Sequence, residues 1–278
     1  MNIAKRFEFG KNWESFLALL NEERIDEAKK SLGNFLNIDG LQNKRFLDIG
    51  AGSGLFSLAA RQLGAKVFSF DYDATAVECI KLLKKQYFPN DPGWQIDQGS
   101  ILDKKYVENL GKFDLCYSWG VLHHTGFLWQ ALFNAQLPVA DNGYLMIAIY
   151  NEQGIISDCW AIIKKAYCSS QIAKVILTAI FYTIFFISGL LIDIAKFENP
   201  VTRYREHIRY RGMSLMHDWK DWLGGYPYDR AKPEQVIMFY KNLGFTLLKY
   251  EATRHGFGNN QFLFKRNHGY DGIYNCSR

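Results

Sequence analysis

Three glycines at alternating positions follow the first strongly apolar run of the chain. The segment FLDIGAGSGLF spans residues 46–56 and places Asp48 just ahead of Gly50, Gly52 and Gly54. Glycine adopts positive φ angles at no steric cost and lets a ligand approach the backbone, because it has no Cβ. The apolar spacing after the third glycine predicts a helix, whose first N–H groups attract polar or anionic ligand groups. A strand, glycine turn and helix in this order predict a nucleotide-like ligand.

A second acid, Asp71, ends the next apolar run, KVFSFD, about twenty residues after the glycine turn. In a doubly wound sheet, an acid at this place accepts hydrogen bonds from ribose hydroxyls. The adjacent Tyr72 can lie against the adenine or the ribose, and Asp73 is typical of a helix N-cap. The glycine spacing departs from the NAD pattern, since Leu55 stands where that motif needs a small residue.

Two further segments follow in order, WQIDQGSILD at residues 94–103 and FDLCYSWGVLHHT at residues 113–125. Together with the glycine turn and the run that ends in Asp71, they make residues 44–150 resemble the class I methyltransferases that use S-adenosylmethionine (SAM). The resemblance implies an α/β fold with a doubly wound, seven-stranded, Rossmann-like sheet that ends in an antiparallel hairpin. It also implies cofactor contacts from Asp48, Gly50, Gly52, Gly54, Asp71, Tyr72, Ser100, Ile101, Trp119 and Gly120.

Ser100 departs from the pattern of that family. An Asp that contacts the adenine amino group often stands at this position, so Ser100 and the backbone of Ile101 would have to make the contact here. Asp48 can orient N–H groups of the glycine turn or meet the ammonium group of SAM. The reaction that the resemblance implies needs no metal, because the sulfonium of SAM already activates the methyl group.

Composition predicts one large globular domain with elaborations, since 48% of the 278 residues are hydrophobic and 22% are charged. The five cysteines form no CxxC pair, and residues 1–11 lack an apolar signal core. We therefore expect free thiols, no zinc site and a reducing cytoplasm. Residues 1–150 carry 16 Lys and Arg against 17 Asp and Glu, whereas residues 151–278 carry 17 against 11. Nucleic acid is nevertheless a disfavoured partner, because acids and aromatics intersperse the basic residues.

The order of the predicted elements divides the chain into four parts. Residues 1–40 have the apolar spacing of two short helices and form an N-terminal helical cap, and residues 41–150 form the SAM-binding core. Residues 151–232 form a helical insertion with an apolar helix and an acceptor lid. Residues 233–278 return as a helix and two strands that complete the core sheet.

The apolar helix is predicted from residues 175–192, which are uncharged over a length at the lower bound for a membrane-spanning helix. A single crossing is disfavoured, because the segments on both sides belong to one sheet and must end on one side of the membrane. Three alternatives stay open: a helix buried in the protein, a contact in a homodimer, or a helix or helical hairpin in the membrane interface. The last would place a cytoplasmic protein at the inner membrane surface.

The predicted lid, residues 201–230, mixes charged groups with aromatic rings in a way that a plain core helix would not. Its part RGMSLMHDWKDWLGGYPY, residues 211–228, resembles a segment of uncharacterised methyltransferases encoded among surface-glycan genes. Carboxylates beside aromatic rings suit a sugar or a phenol; the alternative is a lid that only excludes water. The candidate bases are His217, Asp218, Asp221 and His255, and the candidate acceptor-binding residues are Tyr150, Asn151, Arg211, Trp222, Tyr226 and Asn259.

His123 and His124 are adjacent, which is typical of metal or base chemistry. The resemblance makes this pair the turn into the next helix, although a neutral His124 near the pocket can still titrate.

The sequence favours transfer of a methyl group from SAM to a small-molecule acceptor, with a hydroxyl of a sugar or glycan precursor as the first choice. A quinol or phenol at the membrane surface and an RNA are alternative acceptors. A non-catalytic scaffold with the same fold is the third alternative. The intact Asp48, glycine turn and Asp71 argue against lost cofactor binding.

Substitution of Gly52 by valine tests the glycine turn. A β-branched side chain opposes a positive φ and blocks the approach of a ligand, whereas the flanking strands keep their own cores. We expect Gly52→Val to lose SAM binding in isothermal titration calorimetry and to keep the circular dichroism spectrum of the wild type. A folded variant that still binds SAM normally would assign the turn another purpose.

Overall fold

The structure, a computed structural model, describes residues 7, 17, 20–37, 40–197, 199–200, 202, 215–253 and 258–269. Within these ranges, the side chains of residues 215–218 and 221 are not described. Five predicted site residues are affected: Arg211 and His255 lie outside the described residues, as do the side chains of His217, Asp218 and Asp221. Their catalytic and acceptor-binding roles stay predictions.

The described strands form one seven-stranded sheet. They are β1 (Arg45–Ile49), β2 (Lys66–Asp71), β3 (Trp94–Gln98), β4 (Phe113–Trp119), β5 (Val139–Tyr150), β6 (Phe245–Glu251) and β7 (Asn259–Arg266). Their order in the sheet is β3-β2-β1-β4-β5-β7-β6. The first five run parallel, and β7 lies antiparallel between β5 and β6. The predicted doubly wound sheet with a C-terminal antiparallel hairpin is therefore confirmed, and its strand order reverses between β1 and β4.

Nine helices connect or extend this sheet within the described part of the chain. They are α1 (Glu22–Leu36), α2 (Leu55–Gln62), α3 (Ala74–Tyr87), α4 (Lys104–Asn109), α5 (Leu128–Gln136), α6 (Ile155–Ser169), α7 (Gln171–Lys196), α8 (Leu215–Gly224) and α9 (Pro233–Asn242), with a 3₁₀ turn at Leu122–His124. The sequence after Asp73 predicts a helix over residues 74–87, and α3 has these bounds. Its N-cap is Asp73, whose carboxylate accepts a hydrogen bond of 2.8 Å from Thr75 N.

Helices cover both faces of the sheet, because successive side chains of a buried strand point in opposite directions. Phe46 of β1 packs on one face with Ile25 of α1 and Leu58 of α2. The next residue, Leu47, packs on the other face in a cluster that includes Tyr240 of α9. Helices α1, α2 and α3 thus cover one face, and α4, α5 and α9 cover the other.

Helix α1 is the second of the two helices predicted ahead of the first strand. Its apolar residues Ile25, Ala28, Leu32 and Phe35 are buried, as the helical spacing predicts. The side chain of Asn21 caps it by accepting a hydrogen bond of 3.1 Å from Arg24 N. Trp13 and Phe16 of the first predicted helix lie outside the described residues.

The apolar run GYLMIAI, residues 143–149, predicts a strand, and strand β5 is longer than this span because it begins at Val139. The intervening sequence Asp141-Asn142-Gly143 is typical of a turn. Asn142 indeed has a positive φ of 58°. The pairing with β4 is irregular at this turn, and the chain continues beyond it as a strand.

Helices α6 and α7 form an antiparallel hairpin. Near its open end the ring of Trp160 contacts that of Phe181, with centroids 5.4 Å apart. Near its turn the Lys174 Nζ lies 5.7 Å from the centroid of Tyr167. Helix α8 packs on the hairpin through Trp219, which contacts the rings of Tyr182 and Phe185 in α7.

The alternative of a protein-buried apolar helix at residues 175–192 is wrong. Helix α7 contains this stretch, and Gly189 is the one buried residue among residues 175–192. Only α6 and α8 make extensive contacts with α7 among the described elements, which leaves the opposite face uncovered. Within the described residues, α7 is also the one helix long and apolar enough to cross a membrane, with a mean hydropathy of 2.5. A homodimer contact and the membrane interface stay open.

Candidate active site

The glycine turn takes the conformation that its sequence predicts. Gly50, Gly52 and Gly54 have φ angles of 71°, 56° and 82°, respectively, in the region that favours glycine. Gly52 N donates a hydrogen bond of 2.9 Å to Asp71 Oδ2, and Asp73 N donates one of 2.9 Å to Asp71 Oδ1. Both carboxylate oxygens are thereby oriented. The structure therefore brings Asp71 to the turn at the end of β1, where a ribose would bind.

The exit of β4 packs against the same turn. A Cβ added to Gly50 would lie 2.3 Å from Val121 Cγ1, so only glycine fits this contact. The ring of Trp119 stacks on that of Phe56 in the first turn of α2, with centroids 6.4 Å apart. Gly120 has a φ of 74°, and a Cβ added there would meet no atom within 4 Å. Trp119 and Gly120 thus lie beside the glycine turn, at the point where the strand order reverses, and the space next to Gly120 Cα is open.

Asp48 lies under the glycine turn and is 2% exposed. Its Oδ2 accepts a bond of 2.6 Å from Ser57 Oγ, which in turn lies 2.6 Å from Ser69 Oγ. The indole N–H of Trp94 donates to Ser69 Oγ over 2.8 Å. Because the Ser57 proton goes to Asp48, Ser69 donates to Ser57, and the chain of donors runs from Trp94 to Asp48. The network connects β1, α2, β2 and β3; a contact of Asp48 with SAM stays a prediction.

Burial gives Asp48 an unusual pKa. Desolvation raises the pKa from 3.8 to about 7, the bonds from Ser57 oppose this shift, and the nearby Asp71 adds to it. Two acids in a poorly solvated site favour a positively charged ligand.

The residues predicted at the adenine lie on the same edge. Gly99 N donates to Asp71 O over 3.0 Å, which places the following Ser100 beside the exit of β2. The Ile101 carbonyl is already bonded to Asn134 Nδ2 at 2.8 Å. Tyr72 is 62% exposed at the rim, so its ring is accessible to a ligand.

Three of the predicted acceptor residues meet at the exit of β5. Tyr150 and Asn259 are partners in the register of β5 and β7, and Asn260 Nδ2 donates to Asn151 Oδ1 over 2.9 Å. Asn259 Oδ1 is buried and has no hydrogen-bond partner among the described residues. The ring of Tyr228 lies 5.1 Å from that of Tyr150, which brings the end of the predicted lid to the same place.

Trp222 and Tyr226 lie toward the helical hairpin. The Trp222 ring packs edge-on against Phe185 of α7, with centroids 5.9 Å apart. Tyr226 N donates to Gly224 O, and Tyr226 O accepts from Phe7 N over 3.1 Å. Their part in acceptor binding stays a prediction.

The hydrogen bonds of the histidine pair fit a positioning role. His124 Nδ1 lies 2.7 Å from the Pro227 carbonyl, an acceptor, so this nitrogen carries the proton. His123 Nδ1 accepts from Tyr150 N at 3.3 Å. Burial, with the nearby His124 and Lys164, holds the pKa of His123 well below its usual value, so this ring is neutral. The pair therefore links the exits of β4 and β5 to the segment at Pro227.

A cleft of about 500 Å³ opens beside this linkage, at the carboxyl ends of β4 and β5. It is lined by Gly126, Phe127, Leu128, Trp129, Gln130, Glu152, Tyr228, Asp229 and Arg230. Arg230 holds one wall by donating to Glu152 Oε2 over 2.7 Å and to Asp158. The cleft thus combines aromatic surface with charged groups.

Asp229, which the sequence analysis did not single out, is a carboxylate of this cleft whose pKa is raised by burial. Its N–H donates to His123 O over 2.8 Å, and its carboxylate accepts from the N–H groups of Gly126 and Leu128. Asp229 Oδ2 is nevertheless buried without a hydrogen-bond partner among the described residues. Burial raises the pKa of this carboxyl, which the N–H groups and Arg230 lower in part. In the sequence, the acidic Asp229 and the basic Arg230 directly after Tyr228 were the pattern that could have indicated this site.

The described residues contain no candidate metal-binding cluster. No group of three or more His, Cys, Asp or Glu side chains there could hold a metal ion.

Similarity to known proteins extends over most of the chain. A family model described as a methyltransferase domain matches residues 20–220. The ribosomal protein L11 methyltransferase of Helicobacter hepaticus is 32% identical over 135 residues, which cover 48% of this chain and 38% of that protein. The chain thus spans less than two fifths of the length of the curated relatives it matches.

Two solved structures are similar to this chain in fold. The magnesium protoporphyrin IX methyltransferase of Synechocystis PCC 6803, with bound SAH, has a TM-score of 0.51 at 12% identity, covering 87% of this chain and 82% of that one. An O-methyltransferase family protein of Burkholderia thailandensis has a TM-score of 0.54 at 10% identity, covering 88% of this chain and 55% of that one.

Substitution of Asp71 tests the placement of the ribose. Asp71→Ala would lose two charge-assisted bonds to the hydroxyls, worth about 1.5 to 3 kcal/mol each, and the bond that holds Gly52 N. We expect the affinity for SAM, measured by calorimetry, to fall by tens to thousands of fold. Asp73→Ala is the matched control, because it removes a neighbouring carboxylate that caps α3. Equal SAM affinity in the two folded variants would contradict the assignment.

The pKa of Asp48 predicts a pH dependence of stability in the absence of SAM. The folded protein binds this proton up to about pH 7 and the unfolded chain only up to about 3.8, so stability falls as the pH rises between these values. The slope reaches about 1.4 kcal/mol per pH unit. Asp48→Asn keeps an acceptor for Ser57 but does not titrate. In urea unfolding, the free energy of unfolding of Asp48→Asn should rise relative to that of the wild type from pH 5 to pH 7. A difference in unfolding free energy that is the same at both pH values would exclude the raised pKa of Asp48.

Proposed function

The chain belongs to the methyltransferase domain family, its cofactor is SAM, and we propose that it methylates a hydroxyl of a small carbohydrate, a sugar or glycan precursor. The observation that carries the acceptor class is the cleft at the exits of β4 and β5, where aromatic rings stand beside a partly buried carboxylate. Residues 211–228, whose resemblance to methyltransferases encoded among surface-glycan genes stays a prediction, favour the same class.

The cofactor half of the proposed site fits SAM. The glycine turn offers close approach to the backbone, Asp71 offers an oriented acceptor for the ribose, and Tyr72 an accessible ring. Trp119 and Gly120 lie beside the glycine turn, where the methionine part would bind. When bound, SAM supplies a methyl group that is already activated for displacement by its sulfonium. The protein then has to align the acceptor with that methyl group and exclude water.

The acceptor cleft has the composition of a carbohydrate site. Phe127 and Trp129 are 64% and 42% exposed, and large exposed rings of this kind can cover the apolar face of a sugar. Glu152, Asp229 and Arg230 supply donors and acceptors for hydroxyl groups. Because Arg230 is fixed by two carboxylates, its guanidinium is oriented before the acceptor binds.

Asp229 is the proposed general base. A hydroxyl acceptor has to lose its proton during transfer, and a carboxylate within hydrogen-bond reach can take it. The N–H groups of Gly126 and Leu128 fix the orientation of the Asp229 carboxylate. Asp229 Oδ2 is buried and has no hydrogen-bond partner among the described residues, so a movement of the cleft wall that exposes it would let it accept the proton of the acceptor hydroxyl. The raised pKa brings its basicity closer to neutral pH than that of an ordinary carboxylate.

A quinol or another phenol is the second candidate acceptor. The exposed apolar face of α7, which joins the cleft through α6, favours an acceptor that resides in a lipid phase. The aromatic rings that would cover a sugar can also stack on a phenol.

The mass of the methylated product decides the acceptor class. Purified protein is incubated with SAM and, separately, with nucleotide sugars, lipid-linked sugars, quinols and ribosomal protein, and the products are separated by chromatography. We expect the mass increment of one methyl group on a sugar hydroxyl. Methylation of quinols alone would replace the carbohydrate by the second candidate, and methylation of ribosomal protein alone would exclude both.

Asp229→Asn tests the proposed base with the acceptor so identified. The amide oxygen can still accept the N–H bonds at the start of α5, but it cannot take a proton at neutral pH, so turnover should fall about a hundredfold or more. The SAM affinity should stay within a few fold of the wild type. Asp103→Asn is the control, because Asp103 is another carboxylate that accepts a backbone N–H at the start of a helix.

A pH profile distinguishes a base from a positioning residue. The wild-type rate should rise with pH through the raised pKa of Asp229, and the residual rate of Asp229→Asn should lack this limb. Full turnover in Asp229→Asn would contradict the assignment of Asp229 as the base. The candidate bases would then be the predicted His217, Asp218, Asp221 and His255.

A further inference from the structure

Helix α7 carries an exposed apolar stripe on the face opposite its protein contacts. Ile172, Ile176, Ile180, Ile187, Leu191 and Ile194 follow one another at helical spacing and are each between 49% and 74% exposed. At 1.5 Å per residue, the stripe is about 34 Å long. Soluble monomers rarely leave a continuous apolar surface of this size in water.

Thr183 is the one hydroxyl within this stripe, and the helix itself satisfies it. Thr183 Oγ1 donates to Ala179 O over 2.8 Å, so the hydroxyl does not depend on water for a partner. The stripe is therefore compatible with an apolar environment along its whole length.

The charges around the stripe are complementary to an anionic surface. The acids of residues 155–196 are Asp158, which is paired with Arg230, and Asp193, which is 1% exposed. Lys165 and Lys196 are exposed toward opposite ends of the hairpin. In the sequence, residues 196–211 continue with five Lys and Arg against two Glu. Basic clusters beside an interfacial apolar helix favour anionic lipid headgroups.

We propose that this stripe docks on an anionic lipid bilayer, with α7 lying in the plane of the membrane interface. The proposal does not depend on the acceptor or on methyl transfer.

Protein contacts along α7 favour this orientation over a crossing. Its other face is covered by α6 near Lys174 and Phe181 and by α8 near Phe185. A crossing would carry α8, with its sequence HDWKD, into the hydrocarbon, where charged side chains are costly. An interfacial helix keeps this packed face toward water and buries only the stripe.

A second copy of the chain is less suited than an anionic bilayer to cover the stripe, because positive charges of the two copies would come together. If two stripes packed in parallel about a two-fold axis, Lys196 would meet its counterpart. If they packed antiparallel, Lys196 of one copy would approach the Lys165 end of the other. Like charges would meet in both arrangements, whereas anionic lipid would neutralise them.

Docking would also hold the candidate site close to the membrane. Lys164 of α6 is buried, donates to Trp222 O, and lies 5.9 Å and 5.1 Å from the ring centroids of Tyr150 and Tyr228. The hairpin is thereby fixed to the exit of β5.

Vesicle flotation of the full chain tests the proposal. Vesicles of phosphatidylcholine alone are compared with vesicles that also contain phosphatidylglycerol. We expect the wild type to float with the anionic vesicles and to bind the neutral ones at least about tenfold more weakly. The double variant Ile180→Asp, Ile187→Asp should lose at least about tenfold in binding to the anionic vesicles.

The matched control is the double variant Leu82→Asp, Leu248→Asp, which places the same acid at leucines that are 62% and 50% exposed on α3 and β6. It should float as the wild type does. Circular dichroism melting checks that both double variants fold, and all four positions face solvent, so large losses are not expected.

Four results would overturn the proposal. The first is a wild type that floats with neither vesicle, and the second is a stripe variant that floats as well as the wild type. The third is a wild type that is dimeric in buffer without vesicles together with a stripe variant that is monomeric. This pair of results would show that a second copy of the chain covers the stripe. Retention in the vesicles after an alkaline carbonate wash would instead indicate a spanning helix.

Discussion

The hydrogen bond from Gly52 N to the Asp71 carboxylate is the contact on which the cofactor side of the structure depends. The turn after β1 contains three glycines with positive φ, and Gly54 at the start of α2 provides no side-chain cap. Its conformation therefore has to be stabilised from outside the turn. Asp71 does this from the end of β2, and its second oxygen accepts from Asp73 N at the start of the next helix. One carboxylate thus orients the exits of two neighbouring strands.

Buried negative charge gives this arrangement its chemical character. Burial disfavours the ionised form of Asp48, and the nearby Asp71 carboxylate adds to this effect. The donors from Trp94 through Ser69 and Ser57 oppose it by stabilising the carboxylate. A ligand with a sulfonium and an ammonium group would relieve the remaining repulsion. We therefore expect the two acids to favour binding of SAM, and Asp48 to lower the stability of the folded protein in its absence.

The acceptor side depends on contacts between parts of the chain that are far apart in sequence. Asp229 N bonds to His123 O, Arg230 bonds to Glu152 and Asp158, and Lys164 lies over Tyr150 and Tyr228. These bonds join the turn after β4, the end of β5 and the helical insertion around one cleft. The insertion is thus part of the wall of the proposed site as well as the support of the apolar helix.

Local patterns in the sequence determined the cofactor half of the protein. The positive φ of the glycine turn, the N-caps Asp73 and Asp103, and the buried stripe of α1 all depend on residues within a few positions of one another. Tertiary structure alone decided the rest. Apolar spacing in α7 does not tell a buried helix from an exposed one, because both avoid charge. Asp229 became a candidate base only through partners some hundred residues earlier in the chain, since burial and the loss of a hydrogen-bond partner are properties of the folded surroundings.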